Sequence, residues 1–289
     1  MRIAFLGPEG TFSQEALRTS IALAGPGAEQ AELVPVATVH AVVQAIASGD
    51  ADRAVVPIEN ALEGSVNEAI DALLHDAPGV RIIGETVLPV RHCLIAAPGV
   101  ALDEVAVVLS HPQALAQCAR WLRDALPAAA QRAASSTAEA VRLAVGATEP
   151  TAALGTRLAA DLYGGAVLVD DLGDTATNAT RFLWLAPAGA PASAGDGSLW
   201  KTSVVFGGDG AGRPGWLVRC LSEFAFRGVN LTRIESRPAR RRLGHYVFLV
   251  DLEGRADVPG PAADAVAALD DHCSEVRVLG AYPRAALPA

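Results

Sequence analysis

The chain has 289 residues, 51% of them hydrophobic and 19% charged, and a formal net charge of −9 at pH 7. That length suits two globular domains of roughly 100–200 residues each, and the acid excess leaves no basic footprint for nucleic acid. Cys93, Cys118, Cys220 and Cys273 are widely spaced with no Cys-x-x-Cys pair, which argues against a structural zinc site and a disulfide scaffold and favours a reducing, cytoplasmic compartment.

Residues 3–6 are too short an apolar run for a signal peptide or a membrane span, and they read as a first core strand. The loop Gly7-Pro8-Glu9-Gly10-Thr11-Phe12-Ser13 then joins strand to helix. It lacks the Lys-Ser/Thr of a P-loop and the spacing of a dinucleotide fingerprint, so nucleotide binding is disfavoured. Thr11 with Gln14, Ser65 with Glu68, Ser110 with Gln113, and Ser136 with Glu139 each fit a helix capping box. Three of these follow strand-like runs (residues 3–6, 55–58 and 105–109), so free N–H groups at the helix starts are expected to face one cleft and suit an anion.

Pro57-Ile58-Glu59-Asn60 places a carboxylate and an amide just after an apolar strand. Glu59 reads as a general base, an orienting acceptor or, more simply, a solvated loop acid. Ser110-His111-Pro112-Gln113 offers a hydroxyl, an imidazole and an amide at a helix start, and capping by Ser110 is the plainer reading. The six histidines are isolated along the chain and read as structural, which leaves no expected metal site. Thr177-Asn178-Ala179-Thr180-Arg181-Phe182 lies between the apolar runs 166–169 and 182–185, and puts Thr180 first among candidates for chemistry. The expected chemistry uses hydroxyls, amides, carboxylates and backbone donors, with neither metal nor organic cofactor.

Residues 1–185 alternate strands with helices, as in parallel α/β layers. Residues 186–199 are almost wholly Ala, Pro, Gly and Ser and read as a linker. Lys201, the only lysine, suggests a compositional bias and no mechanism. The order beyond it is strand 202–206, helix 214–227, strands 229–235 and 246–252, helix 262–272 and strand 276–279. This βαββαβ order is ferredoxin-like. Arg240-Arg241-Arg242 reads as a solvated turn before the strand at Tyr246.

In combination, GPEGTFS at 7–13, VPIEN at 56–60, EGSV at 63–66, SHPQALAQC at 110–118 and NATRF at 178–182 resemble prephenate dehydratase. NLTRIESRP at 230–238 resembles a phenylalanine-binding ACT domain. The resemblance implies an α/β, two-lobed, periplasmic-binding-protein-like catalytic region at 1–185 (lobe 1 about 1–85 and 170–185, lobe 2 about 86–169). The ACT domain would follow at 200–283, then a tail at 284–289. Thr180 would assist the leaving hydroxyl of prephenate. Glu59, Asn60 and Gln113 would orient it or the substrate, and Thr11, Ser13, Ser65, Ser110, Asn178, Arg181 and Phe182 would contact the substrate. Arogenate dehydratase and a catalytically silent amino-acid sensor are the alternatives.

By the same resemblance, L-phenylalanine would act as effector at Gly215, Leu217, Val218, Asn230, Leu231, Glu235, Ser236, Arg237 and Pro238, in a homo-oligomer, dimer or tetramer. A chorismate mutase would be a separate protein and a candidate partner. Two departures stand out. Ala61 replaces the family's usual Ser, and Trp216 replaces the Ala of its Gly-Ala-Leu-Val motif, where it would either crowd the effector pocket or turn away from it.

Overall fold

A computed structural model describes residues 1–194 and 199–286. The first lobe comprises β1 (Arg2–Leu6), α1 (Phe12–Thr19), β2 (Glu32–Val36), α2 (Val39–Ala47), β3 (Arg53–Asn60), β4 (Gly64–Ser65), α3 (Asn67–Asp71) and β5 (Val80–Pro89). The second holds β6 (Cys93–Ala96), β7 (Val107–Ser110), α4 (Pro112–Gln117), α5 (Ala119–Ala125), β8 (Ala130–Ala133), α6 (Thr137–Val145), β9 (Thr151–Gly155), α7 (Arg157–Tyr163) and β10 (Ala166–Val169). The chain then returns to the first sheet as β11 (Ala179–Pro187). The C-terminal domain follows as β12 (Trp200–Gly207), α8 (Trp216–Phe226), β13 (Leu231–Pro238), β14 (Tyr246–Glu253), α9 (Pro261–Ala268) and β15 (Glu275–Pro283).

The first sheet runs β2-β1-β3-β11-β5, with β4 paired to β3, and the second runs β10-β6-β9-β7-β8. β3 is nearly continuous in apolar residues because α1 covers one of its faces and α2 and α3 the other. Two crossovers, after β5 and after β10, join the sheets. This is the two-lobed layout of periplasmic-binding proteins, with a cleft between the lobes. The lobes also touch behind the cleft, where Thr156 Oγ1 donates to Gly10 O (2.7 Å) and Tyr163 Oη to Glu9 O (3.0 Å). Gly10 has φ +83°, and a Cβ there would lie 3.0 Å from Ala159 Cβ. Only glycine combines that backbone with that approach.

The C-terminal sheet, β13-β14-β12-β15, is antiparallel, as the βαββαβ order implies. One face carries α8 and α9. The other packs on the first lobe, where Val205, Val247, Leu249, Leu279 and Tyr282 join a single apolar cluster with residues of α2, α3 and β3. Contact between β15 and β5 is so close that a Cβ on Gly280 would fall 2.0 Å from Ile82 O. Trp216 turns inward, packs against the stacked pair Phe206 and Phe248, and donates from Nε1 to His272 O at 2.7 Å. It therefore fills the domain's own core.

The segment expected to link the domains begins inside β11. Its early part is pinned to the first lobe by Ala188 N→Gly79 O (2.9 Å) and Ser193 N→Ile83 O (2.8 Å), and its residues 195–198 lie outside the described ones. The end of the expected tail, 287–289, does so too. Thr11 and Ser136 cap α1 and α6 as anticipated. Ser65 and Ser110 do not cap. Ser65 lies in β4, and Val66 precedes α3. Ser110 ends β7 fully buried, its hydroxyl donating to Leu154 O at 2.8 Å, while His111 caps α4. Among the described residues no helix is long and apolar enough to cross a membrane, and no group of three or more His, Cys, Asp or Glu could hold a metal ion.

Candidate active site

The cleft between the lobes has a volume of about 380 Å³ and is built largely from ends of strands and starts of helices. β3 and β11 pair antiparallel with Asn60 opposite Thr180 and Glu59 opposite Arg181. A bulge between Arg181 and Phe182 then brings Phe182 opposite Pro57. Since successive strand residues face opposite sides, Asn60, Thr180, Pro57 and Phe182 share the cleft face, while Glu59 and Arg181 share the back.

The orientation of Asn60 is fixed by its neighbours. Its Oδ1 accepts from Leu62 N (2.9 Å) and Glu63 N (3.0 Å), so its amino group must point the other way. From there Nδ2 donates to Thr180 Oγ1 (2.9 Å) and Asn178 Oδ1 (3.0 Å). Thr180 Oγ1 thus acts as acceptor towards Asn60, which frees its hydrogen for the cleft. Asn178 Nδ2 in turn donates to Gln117 Oε1 (3.0 Å), an oxygen that also takes a hydrogen bond from His92 Nε2 (3.0 Å). Burial lowers the His92 pKa from its ordinary value, partly offset by this bond to Gln117. His92 is therefore a neutral imidazole protonated on Nε2.

Gln117 and His92 are the residues the sequence reading missed. Gln117 lies one helical turn beyond Gln113 and reaches across from the second lobe. Gln113 lines the same cleft but is exposed at its second-lobe wall. Thr11 and Ser13 line the first-lobe wall at the start of α1, and Ser135, Ser136 and Thr137 the opposite wall at the start of α6. First-turn N–H groups lack intrahelical partners, so both walls carry donors suited to anions. Among the described residues the lining includes no Lys, Arg, Asp or Glu.

Asn178, 5% exposed, is held by Asn60 and Gln117 outside the lining, and Glu59, Arg181, Ser65 and Ser110 lie elsewhere. Arg181 points behind the sheet into a charge network between the first lobe and the C-terminal domain. It pairs with Glu59 (3.0 Å), Glu85 (3.0 Å) and Asp251 (2.7 Å). Lys201, set aside on composition, is 7% exposed and donates to both Glu85 oxygens at 2.9 Å. Burial pushes the Asp251 carboxyl up, but Arg181, the Ser203 hydroxyl, Arg233 and Lys201 together outweigh it and hold it below its ordinary pKa. Ser65 binds the C-terminal domain, donating to Glu235 Oε2 at 2.7 Å. Ser110 is fully buried at the end of β7, outside the lining. Ala61 is exposed on the loop after β3, outside the lining.

Among the residues expected to bind an effector, Gly215 takes the left-handed conformation that starts α8, Leu217 packs on the domain core and Val218 is 66% exposed. Asn230 accepts from Glu253 N at 2.9 Å beside Leu231. Ser236 and Pro238 face away from the catalytic lobes, whereas Glu235 and Arg237 face them.

A two-lobed cleft holding one amide-oriented hydroxyl, with a βαββαβ domain docked behind it, defines a small-molecule enzyme carrying a regulatory-type domain. The family described as prephenate dehydratase matches residues 3–189. A prephenate dehydratase of Amycolatopsis methanolica is 41% identical over 288 residues, covering 98% of this chain and 89% of the relative. The crystal structure of prephenate dehydratase from Arthrobacter aurescens in complex with L-Phe superposes with a TM-score of 0.86 at 38% identity, covering 98% and 90% of the two chains. A structure described as GqqA, a quorum-quenching acylase, also superposes (TM-score 0.84, 29% identity, 98% of each chain). The chain belongs to the prephenate dehydratase family.

Proposed function

We propose that the cleft converts prephenate to phenylpyruvate, CO2 and water, as a step of L-phenylalanine biosynthesis. The observation that carries this reading is the locked Asn60 amide, which holds Thr180 Oγ1 as an acceptor and turns its hydrogen towards the cleft. As the ring carboxylate leaves as CO2, its bonding electrons enter the ring and the C–OH bond breaks opposite them. The departing hydroxide takes the Thr180 proton and becomes water, and Thr180 Oγ1 regains a proton from solvent, which accounts for the one proton the reaction consumes. Thr180 supplies a hydrogen bond that strengthens as charge builds on that oxygen, and the Asn60 N–H stabilises Thr180 Oγ1 as its proton shifts. Aromatisation drives the step, so the protein mainly orients the substrate.

Phe182 and Pro57 offer an apolar floor for the ring, and the α1 and α6 starts at Thr11, Ser13 and Ser136 offer N–H donors for the two carboxylates. The orienting role expected of Gln113 passes to Gln117, which touches the Thr180 network directly. Serine nucleophile chemistry finds no support: among the described residues no serine hydroxyl is hydrogen-bonded to a histidine. We take 1–185 as the catalytic region and 200–283 as an ACT domain that responds to L-phenylalanine in a cytoplasmic homo-oligomer. Chorismate mutase activity would be supplied by a partner.

Purified protein assayed for phenylpyruvate from prephenate tests the reading, with arogenate as the parallel substrate. Turnover of prephenate is expected without added metal. Preference for arogenate would reassign the substrate, and no turnover of either by folded protein would leave a ligand-binding role.

A further inference from the structure

Strand alternation divides the Glu235-Ser236-Arg237-Pro238 motif between two faces. Glu235 and Arg237 point at the first lobe, not at the outer face of the domain. Glu235 Oε2 accepts from Ser65 Oγ (2.7 Å), and that same hydroxyl accepts from Arg233 Nη2 (2.9 Å). Arg237 Nε donates to Asp71 Oδ1 (2.9 Å) and Nη1 to Asn67 Oδ1 (2.8 Å). Ser65 and Asp71 bracket α3, so β13 holds both ends of that helix. On the other side of α3, the π turn Ala72–Asp76 presents Leu73 O and Leu74 O to Arg277 Nη2 of β15 (2.9 and 2.7 Å).

The held segment is also a wall of the cleft. Val66, next to Ser65, lines it. β4 pairs with β3 so that Ser65 lies opposite Glu59 and Gly64 opposite Asn60, and Asn60 donates to Thr180. Three contacts thus separate β13 from the candidate catalytic hydroxyl: Glu235 to Ser65, the β4–β3 ladder to Asn60, and Asn60 to Thr180. Side chains that are 9% exposed at Arg233, 21% at Glu235 and 16% at Arg237 leave little slack in the grip.

We infer that Glu235 and Arg237 are coupling residues, not effector contacts: they transmit the position of β13 to α3 and the Asn60–Thr180 pair. This rests on the reading of the C-terminal domain as phenylalanine-responsive. A shift of β13 moves Ser65 and Asp71 together and re-aims Val66 and Asn60, because both ends of α3 are tied. The coupling is carried by named contacts whose removal uncouples the sites while leaving each intact.

The test uses Asp71→Asn in the full chain, since Asp71 lies outside the cleft lining and outside the expected effector set. Three quantities are read for wild type and variant: kcat/KM without effector, its ratio with and without saturating phenylalanine, and the melting-temperature rise on adding phenylalanine. Wild type is expected to show a ratio in the range of about 5–150 that marks allosteric coupling. The variant should keep its basal kcat/KM within about twofold and still melt higher with phenylalanine, while the ratio collapses towards 1.

An unchanged ratio in the variant overturns the relay while leaving the effector reading intact. A variant that no longer binds phenylalanine overturns it too, by making the Asp71 contact part of the binding site. A wild type that neither binds nor responds to phenylalanine defeats the effector reading first and the relay with it. Asn67→Ala, which removes the other Arg237 contact from an exposed position, should lower the ratio in the same direction and serves if Asp71→Asn folds poorly.

Discussion

Replacing Asn60 by Asp changes one atom type at the centre of the candidate site. The carboxylate keeps the acceptor that binds Leu62 N and Glu63 N, so the loop after β3 retains its anchor. It loses both hydrogens that Asn60 gives to Thr180 Oγ1 and Asn178 Oδ1. Two neutral hydrogen bonds at about 0.5–1.5 kcal/mol each set a lower bound of about 1–3 kcal/mol on the stability loss, to which the nearly buried carboxylate facing Asn178 Oδ1 and Ala179 O adds. The catalytic effect is distinct. With an acceptor in place of a donor, the Thr180 hydroxyl turns its hydrogen to the new carboxylate and away from the leaving oxygen, and negative charge sits beside the site where hydroxide forms. Loss of one such preorganised donor costs about 10²–10³ in kcat, or about 2.7–4 kcal/mol. Phenylpyruvate release from prephenate under saturating conditions measures it, and urea unfolding reads stability in parallel. A kcat within about threefold of wild type would refute the assignment of Asn60 as the group that orients Thr180.

Thr180→Ser should keep measurable turnover and Thr180→Val should lose at least about a hundredfold at an unchanged melting temperature; full activity in the Val variant removes Thr180 from the chemistry. His92 is held neutral by burial, so the folded state resists a proton that the unfolded chain accepts below its ordinary pKa of 6.5. Stability attributable to His92 is therefore complete above that pH and is lost as pH falls through the lower folded-state value, by up to about 1.4 kcal/mol per pH unit. Unfolding of wild type and His92→Gln from about pH 7.5 to 5 should show a flatter dependence in the variant, and identical slopes would contradict it. Lys201→Met strips one partner from the buried Glu85 carboxylate and should cost about 3–5 kcal/mol in urea unfolding. A loss under about 1 kcal/mol would mean that Arg181 and the Ala285 N–H suffice to satisfy Glu85.

The architecture was legible where pattern and period agree. The βαββαβ order showed through because its strands alternate and its helices have apolar stripes, and its six elements occur in the expected order with shifted ends. The cleft face was legible at Asn60 and Thr180, polar residues embedded in apolar strands. What misled was adjacency in sequence. Glu59 and Arg181 each neighbour a cleft residue along a strand and therefore face the opposite way, a consequence of the two-residue period that could have been applied beforehand. The same rule separates Glu235 and Arg237 from Ser236 and Pro238. Gln117 and Gln113 are four apart on one helix, so period alone could not say which reaches Asn178; that depends on how the lobes meet. Ser65 was read as a cap because its spacing to Glu68 is right, but Glu68 instead accepts from His40 N at 3.0 Å.

The separation of charge from chemistry follows from these strand faces. The ionic residues that flank the cleft on the β3–β11 pair, Glu59 and Arg181, lie behind the sheet. There Glu85 of β5, with Asp251, Lys201 and Arg233 of the C-terminal domain, completes an ionic network that Arg233 extends to Glu235. In front, among the described residues, the hydroxyl of Thr180 shares the cleft with amides, the His92 and His111 imidazoles, further hydroxyls and helix N-termini. Neutral donors aimed at the departing oxygen strengthen where charge develops, and the helix starts are left to meet the carboxylates of a dianionic substrate. Placing the charges behind the sheet, one residue away, gives the ladder a second use. The backbone that places Thr180 also carries Arg181, so the docking of the C-terminal sheet is read by the strand on which the candidate catalytic hydroxyl sits.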